Sequence, residues 1–186
     1  MGCNVSINED KAIVRDRDRN DYEKNAPIVS EAEKMIIQNN WQTLKLHIAN
    51  IGVITYVSLF ESRPELINTF SKFEGKDVYK LQESGLLQKH ALRVMATIDK
   101  CVTCINEHVK LIHILREVGH YHRQNNVRSI DIQVILPHFL CAMKPYSQGK
   151  WCEEIQRAWA NFLSFIVYYI QRGMQQKHED SVNNHF

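Results

Sequence analysis

The chain has 186 residues, with 23 lysines and arginines against 21 aspartates and glutamates and a formal net charge of +2. A chain of this length makes one ordinary domain plus a tail, burying about 70% of its unfolded surface in a real core. Charges so balanced and interspersed exclude a nucleic-acid footprint, and five cysteines at positions 3, 101, 104, 141 and 152 are too sparse for a secreted disulfide scaffold, which favours a reducing cytosol.

The first six residues, Met1-Gly-Cys-Asn-Val-Ser6, fit the pattern for N-myristoylation: Gly2 becomes the new N-terminus and Ser6 supplies the small hydroxyl. The adjacent Cys3 is a natural palmitoylation site. One myristoyl chain gives marginal binding, with K of order 10⁴ M⁻¹, so stable anchoring needs a second signal. Residues 4 to 27 carry five basic and six acidic side chains, net −1, so no polybasic patch supplies it and Cys3 must. No apolar run approaches the roughly 18 residues that span a bilayer, and no apolar core of a signal peptide follows Met1. The sequence therefore predicts anchoring to a membrane without crossing it.

Residues 7 to 27 include Arg15-Asp-Arg-Asp-Arg19 without apolar periodicity and close at Pro27, which reads as a solvated, disordered linker. Three segments result: an acylated extension over 1–29, a folded domain over 30–176 and a polar tail over 177–186. At Ser30-Glu-Ala-Glu33 a capping box opens a helix with Ile37, Trp41, Leu44 and Ile48 at helical spacing. Near Asn50 to Gly52 the chain is expected to turn into a second helix that buries Val53, Tyr56, Val57 and Phe60. It ends at Ser62-Arg-Pro-Glu65, where Ser62 can cap and Pro64 suits the first turn of a short helix. Phe70 and Phe73 flank a polar corner, Ser71-Lys72, and residues 74 to 80 read as loop or turn.

From Leu81 to Lys100 a long helix puts Leu87, His90, Ala91, Val94 and Ile98 on one face, so a histidine lies among core residues. A further helix from Val109 aligns Leu111, Leu115, Val118 and His122, while His113 and His120 fall about 160 to 180° away and point outward. An inward imidazole needs a partner for its nitrogens, because an unsatisfied buried polar group costs a few kcal/mol. A hydrogen-bonded core histidine is the plain alternative. After a turn at Gln124 to Asn126, a helix from Ile130 to Met143 contains Pro137, which predicts a kink. The last helix, Lys150 to Gln176, carries Trp159, Phe162, Phe165 or Ile166, and Tyr169 on its stripe. Cys101-Val-Thr-Cys104 is a single C-x₂-C, insufficient for a structural zinc site; a thiol pair and two unrelated cysteines are both open.

The helices, the lack of strand alternation and the short connections predict an all-α domain. Within it Pro64, Phe70, His90 and His122 form a pattern that resembles the globin family. Phe60-Glu-Ser-Arg-Pro64 through Phe73 looks like the B, C and CD-corner signature, Lys89-His90-Ala-Leu-Arg-Val94 like the distal E-helix motif, Val118-Gly-His-Tyr-His122 like the proximal F-helix motif, and Arg157-Ala-Trp159 like the start of the H-helix core. The wording of Arg93 to Asp99 is closer to the neuroglobin branch, and the acylation motif is similar to the membrane-attached globin X group. Pro137 and Tyr56 depart from the neuroglobin pattern.

The resemblance, over about residues 30 to 176, implies a globin fold of about eight helices in a three-on-three sandwich. It implies haem b, iron protoporphyrin IX, with His122 as proximal ligand and His90 as distal ligand. Phe70 would stack on the haem, Val94, Val118 and Val127 would line its pocket, and Arg93 would meet a propionate. Tyr56 would either donate its hydroxyl to bound oxygen or be a core aromatic. The expected function is a bis-histidyl haem protein on the cytosolic face of a membrane, the plasma membrane above all, acting in redox or gas (O2, NO) sensing with CO as a further ligand and an unidentified redox partner. Oxygen storage or transport and a haem-free adaptor are the rival readings. No nucleophile and base constellation marks an enzyme; nitrite-reducing or peroxidase-like chemistry would belong to the iron.

Overall fold

The computed structural model describes residues 26–70, 73, 78–82 and 85–175, and every regular element among them is helical. In chain order these are α1 (Glu31–Leu44), a 3₁₀ turn (Lys45–His47), α2 (Ile48–Ser62), a 3₁₀ helix (Pro64–Thr69), α3 (Val78–Gln82), α4 (Gly85–Thr103), α5 (His108–Gln124), α6 (Ser129–Gln133), α7 (Leu136–Met143), a 3₁₀ turn (Lys144–Tyr146) and α8 (Glu153–Gln175). The acylation motif, the linker up to residue 25, the corner Ser71-Lys72 and the tail after 177 lie outside the described residues.

The predicted capping box is present at the start of α1. The Ser30 hydroxyl accepts from the Glu33 backbone N–H at 3.3 Å, and the Glu33 carboxylate accepts from the Ser30 N–H at 2.8 Å. Burial would raise the Glu33 carboxyl, but its hydrogen bonds to Ser30 and Asn161, together with the Arg157 charge, hold it below the usual carboxylate range. Two satisfied groups at this end stabilise the helix by about 1 kcal/mol.

The junction between the first two helices departs from the sequence reading. The break falls at Lys45–His47, and Gly52 lies inside α2, where a Cβ would sit 2.9 Å from Met95 Cγ and 3.1 Å from Ala91 Cβ. Glycine at this position therefore permits a close approach of α2 to α4, and no turn requires it. Ser62 is also reassigned: its hydroxyl donates back to the Leu59 carbonyl at 3.0 Å and meets His138 Nε2 at 3.1 Å, so it does not cap the following helix. Of residues 74 to 80, read as loop or turn, 78–80 belong to the short helix α3, which continues through Leu81 to Gln82.

One stretch within 31–62 is long and apolar enough, by length and composition alone, to cross a membrane, which corrects the expectation that none approaches that length. Part of its apolar surface serves the core, since Ile51, Tyr56, Leu59 and Phe60 are buried, while Met35, Leu46 and Ile54 are exposed. The kink expected at Pro137 is a full interruption. Helix α6 stops at Gln133, and α7 restarts at Leu136 with the proline in its first turn, where a missing N–H costs nothing.

The helices pack as α5 on α8, α2 across α4 and α7, and α1 on α8. Two apolar clusters result. The larger contains Trp41, Leu111, Leu115 and the α8 stripe of Trp159, Phe162, Phe165, Ile166 and Tyr169; the smaller contains Tyr56, Phe60, Phe73, Leu87 and Ala91. Polar ties cross the larger one: Trp159 Nε1 donates to Asn40 Oδ1 at 2.8 Å, and Trp41 Nε1 to Asp99 Oδ1 at 2.7 Å. Helices α5 and α8 cross with backbone in contact. A Cβ on Gly119 would collide with the Ile170 carbonyl, and one on Gly173 with the Arg116 carbonyl.

Candidate functional site

The α5 stripe ends as the sequence reading expects: Leu111 and Leu115 are buried, Val118 is half-buried, and His122 follows, also half-buried. Its Nδ1 lies 2.7 Å from the Val118 carbonyl oxygen. A carbonyl only accepts, so Nδ1 carries the ring proton and Nε2 is left with a bare lone pair. A metal-ligating histidine has this tautomer, its second nitrogen being fixed by a hydrogen bond. The Gly119 crossing one turn earlier sets the position of this helix. The Val127 N–H donates to the His122 carbonyl at 3.1 Å and closes its end. His113 is exposed on the opposite side, and His120 lies 2.9 Å from the Gln124 side-chain amide.

The second half of the site comes from α2, the 3₁₀ helix after it, and α4. His90 Nε2 is 2.9 Å from the Tyr56 hydroxyl, and the His90 ring stands edge-on to Tyr56 at 4.9 Å and to Phe70 at 5.1 Å. Phe70 in turn stacks on Phe73 at 5.2 Å and 18°. Burial, the Arg93 guanidinium and the charge of His122 together push His90 down to about 4, so it is neutral at pH 7 and retains a nitrogen lone pair. Burial likewise raises the Tyr56 hydroxyl above its ordinary value, with Arg93 opposing, so it stays a phenol.

Arg93 itself is exposed, yet its charge reaches both Tyr56 and His90, which puts a cation on the rim of the site. Val94 packs on the smaller cluster, Val118 and Val127 on the larger. The half-buried apolar side chains thus come from both clusters, Phe70 and Val94 from the smaller and Val118 and Val127 from the larger, and His90 feels His122. This donor set fits a haem. Among the described residues no group of three or more His, Cys, Asp or Glu side chains could hold a bare metal ion. A porphyrin brings four nitrogens of its own, so one or two histidines complete the coordination of its iron.

Three contacts, two at the site and one beside it, have no clear signal in the sequence. The sequence places Phe73 only at a corner, although it stacks on Phe70. The Val118 carbonyl has no sequence signature beyond lying four residues before His122. His138 bridges α7 to α2, its Nδ1 2.8 Å from Ser58 Oγ and its Nε2 3.1 Å from Ser62 Oγ. Cys101 and Cys104 are both buried at the end of α4; burial and then Cys104 push the Cys101 thiol up to about 12, which keeps it a thiol.

The chain is similar to cytoglobin-1 of Oryzias latipes, 27% identical over 80% of this chain and 85% of that one, and to neuroglobin of Tetraodon nigroviridis, 26% identical over 83% and 98%. Among solved structures it superposes on a hexacoordinated haem protein from an anhydrobiotic tardigrade with a TM-score of 0.76 at 18% identity, covering 81% of this chain and 97% of that one. It superposes on Aplysia limacina myoglobin with a TM-score of 0.70 at 19% identity, covering 80% and 100%. The sequence pattern of the family described as Globin matches residues 54–170, a span that runs from α2 through His90 and His122 into α8. The chain belongs to the globin family.

Proposed function

We propose that this globin holds haem b between His122 and His90 and acts in redox or gas sensing at the cytosolic face of a membrane, to which acyl chains on Gly2 and Cys3 tie it. The observation that carries the haem reading is the His122 tautomer: Nδ1 is committed to the Val118 carbonyl, so Nε2 is the lone pair on offer. Haem, when bound, supplies an iron that exchanges electrons and takes small diatomic ligands. The chain's own contribution is to orient His122, keep His90 neutral and exclude water with Phe70 and Val94. Arg93 meets carboxylates at the rim. The membrane reading is supported by the six-residue motif, which includes Cys3 next to Gly2, and by a net −1 linker that offers no electrostatic substitute.

One observation favours the rival reading, oxygen storage or transport. The Tyr56 hydroxyl already engages His90 Nε2. A nitrogen held there is not free as a ligand, and the distal side then stays open to a gas. Visible absorption spectra of the purified protein separate the two. Low-spin six-coordinate bands in the deoxygenated ferrous protein support the bis-histidyl reading, a five-coordinate high-spin spectrum supports storage, and absence of haem ends both.

A further inference from the structure

The outer face of α1 has almost no charge. Met35 is 60% exposed, and Gln42, seven residues on, falls within about 20° of it on the helix, with Asn39 between them. Leu46, one turn further, is 71% exposed, and at the other end Ile28, just before the N-cap, is 83% exposed. Of the acidic and basic residues near this stripe, Glu31 pairs with Lys34 at 2.6 Å, and Lys45 lies beside Leu46. A solvated helix face ordinarily carries charges; this one presents Met35 set among amides, with exposed Ile28 and Leu46 just beyond its two ends.

The chain before this face is the acylated extension. It joins the domain at the start of α1, where Ala26 and Val29 pack on the core and the Ile28 carbonyl accepts from Asn161 Nδ2 at 2.7 Å. The end of the domain nearest the anchor in sequence is thus pinned in place, with Ile28 directed outward. We infer that the outer face of α1 and the residues at its two ends, through Met35, Ile28 and Leu46, lie against the lipid surface to which the acyl chains hold the protein. This inference rests on the acyl-anchor reading above.

A second copy of the chain suits the face less well. A stable protein interface needs roughly 800 Å² from each partner with a packed apolar centre, and three aliphatics separated by amides do not make one. Headgroups and upper acyl chains accept such a surface: aliphatics insert singly, and neutral amides remain hydrated between them. A lipid surface also has no shape to match.

The test uses full-length protein myristoylated at Gly2 and carrying Cys3→Ser, so that binding to phosphatidylcholine and phosphatidylserine vesicles is weak enough to measure. Adding Ile28→Ser, Met35→Gln and Leu46→Gln together is expected to lower vesicle affinity about tenfold, with the melting curve unchanged because all three are exposed. Equal affinity overturns the inference. So does sedimentation, without vesicles, of a dimer that the triple variant abolishes, since the face would then be a self-interface. The anchor is scored separately by Gly2→Ala in the otherwise unaltered chain: if that variant still binds fully, the acyl reading falls, while the triple substitution still decides the role of α1.

Discussion

The Tyr56 hydroxyl and Nε2 of His90 are 2.9 Å apart across the crossing of α2 and α4, so the nitrogen that a distal ligand would use already has a partner. Tyr56 and an iron on the same side compete for one nitrogen. Removing the hydroxyl therefore shifts the balance. Tyr56→Phe should increase the six-coordinate fraction in the ferrous spectrum and, by deleting a hydrogen bond, speed O2 release about tenfold. His90→Ala should instead speed O2 binding, because no internal ligand has to leave first. Stopped-flow and flash-photolysis rates measure both; a Tyr56→Phe protein with unchanged spectrum and release rate contradicts the competition.

His122 and His120 stand two residues apart and differ in everything but chemistry. His122→Ala should abolish or gravely weaken haem incorporation, while His120→Ala, an outward residue beside Gln124, should retain it. Haem content per chain after reconstitution gives the answer. Equal content in the two variants removes His122 from its role.

The haem-free protein should lose stability in acid partly through His90. Its folded value of about 4 lies below the ordinary 6.5, so the unfolded chain takes up a proton that the folded chain refuses. Stability from this group is intact above pH 6.5 and falls progressively as the pH drops toward 4, by about 3 kcal/mol in all. His90→Gln, which keeps a hydrogen-bonding group near Tyr56, should flatten that part of the profile. Urea midpoints of the two haem-free proteins between pH 7 and pH 4 provide the comparison; parallel curves refute the prediction.

A methyl group at the α5 and α8 crossing has nowhere to go. Gly119→Ala meets the Ile170 carbonyl and Gly173→Ala the Arg116 carbonyl, and backbone cannot swing aside as a side chain does. Each should cost about 1–3 kcal/mol or more. Because Gly119 lies one turn before His122, its variant should also bind haem more weakly. Denaturant titration and haem transfer to a competing apoprotein read the two effects, and wild-type values in both assays would show that the crossing yields.

Membrane attachment should respond in two steps. Gly2→Ala should move the protein to the soluble fraction, and Cys3→Ser should leave it weakly and reversibly bound, since a single chain is marginal. Cell fractionation distinguishes them. A Gly2→Ala protein that stays with membranes assigns the anchor elsewhere.

Periodicity reveals His122 and His90 because each sits on a stripe of apolar neighbours within its own helix. It reveals nothing about contacts between helices. Gly52 reads as a turn beside Asn50, yet its reason is the nearness of Met95 and Ala91 on α4. Asn40 looks like any surface amide until Trp159, 119 positions away, places its indole N–H on it. Phe70 owes its recognition to the family pattern, since a lone phenylalanine near a corner has no periodicity to betray it. The break at Val134 and Ile135 is half visible in the sequence: the proline announces a disturbance, but only packing decides that the helix stops and restarts.

The two glycines of the α5 and α8 crossing also decide where this molecule is able to move. With carbonyl oxygens set against bare Cα atoms, α5 has no slack to roll or slide on α8, and the His122 side of the site behaves as a fixed abutment. The opposite wall is joined differently, by ring edges between Tyr56, Phe70 and His90 and by a single hydrogen bond. A change of ligand is therefore expected to be taken up by α4 and Phe70 before α5 moves.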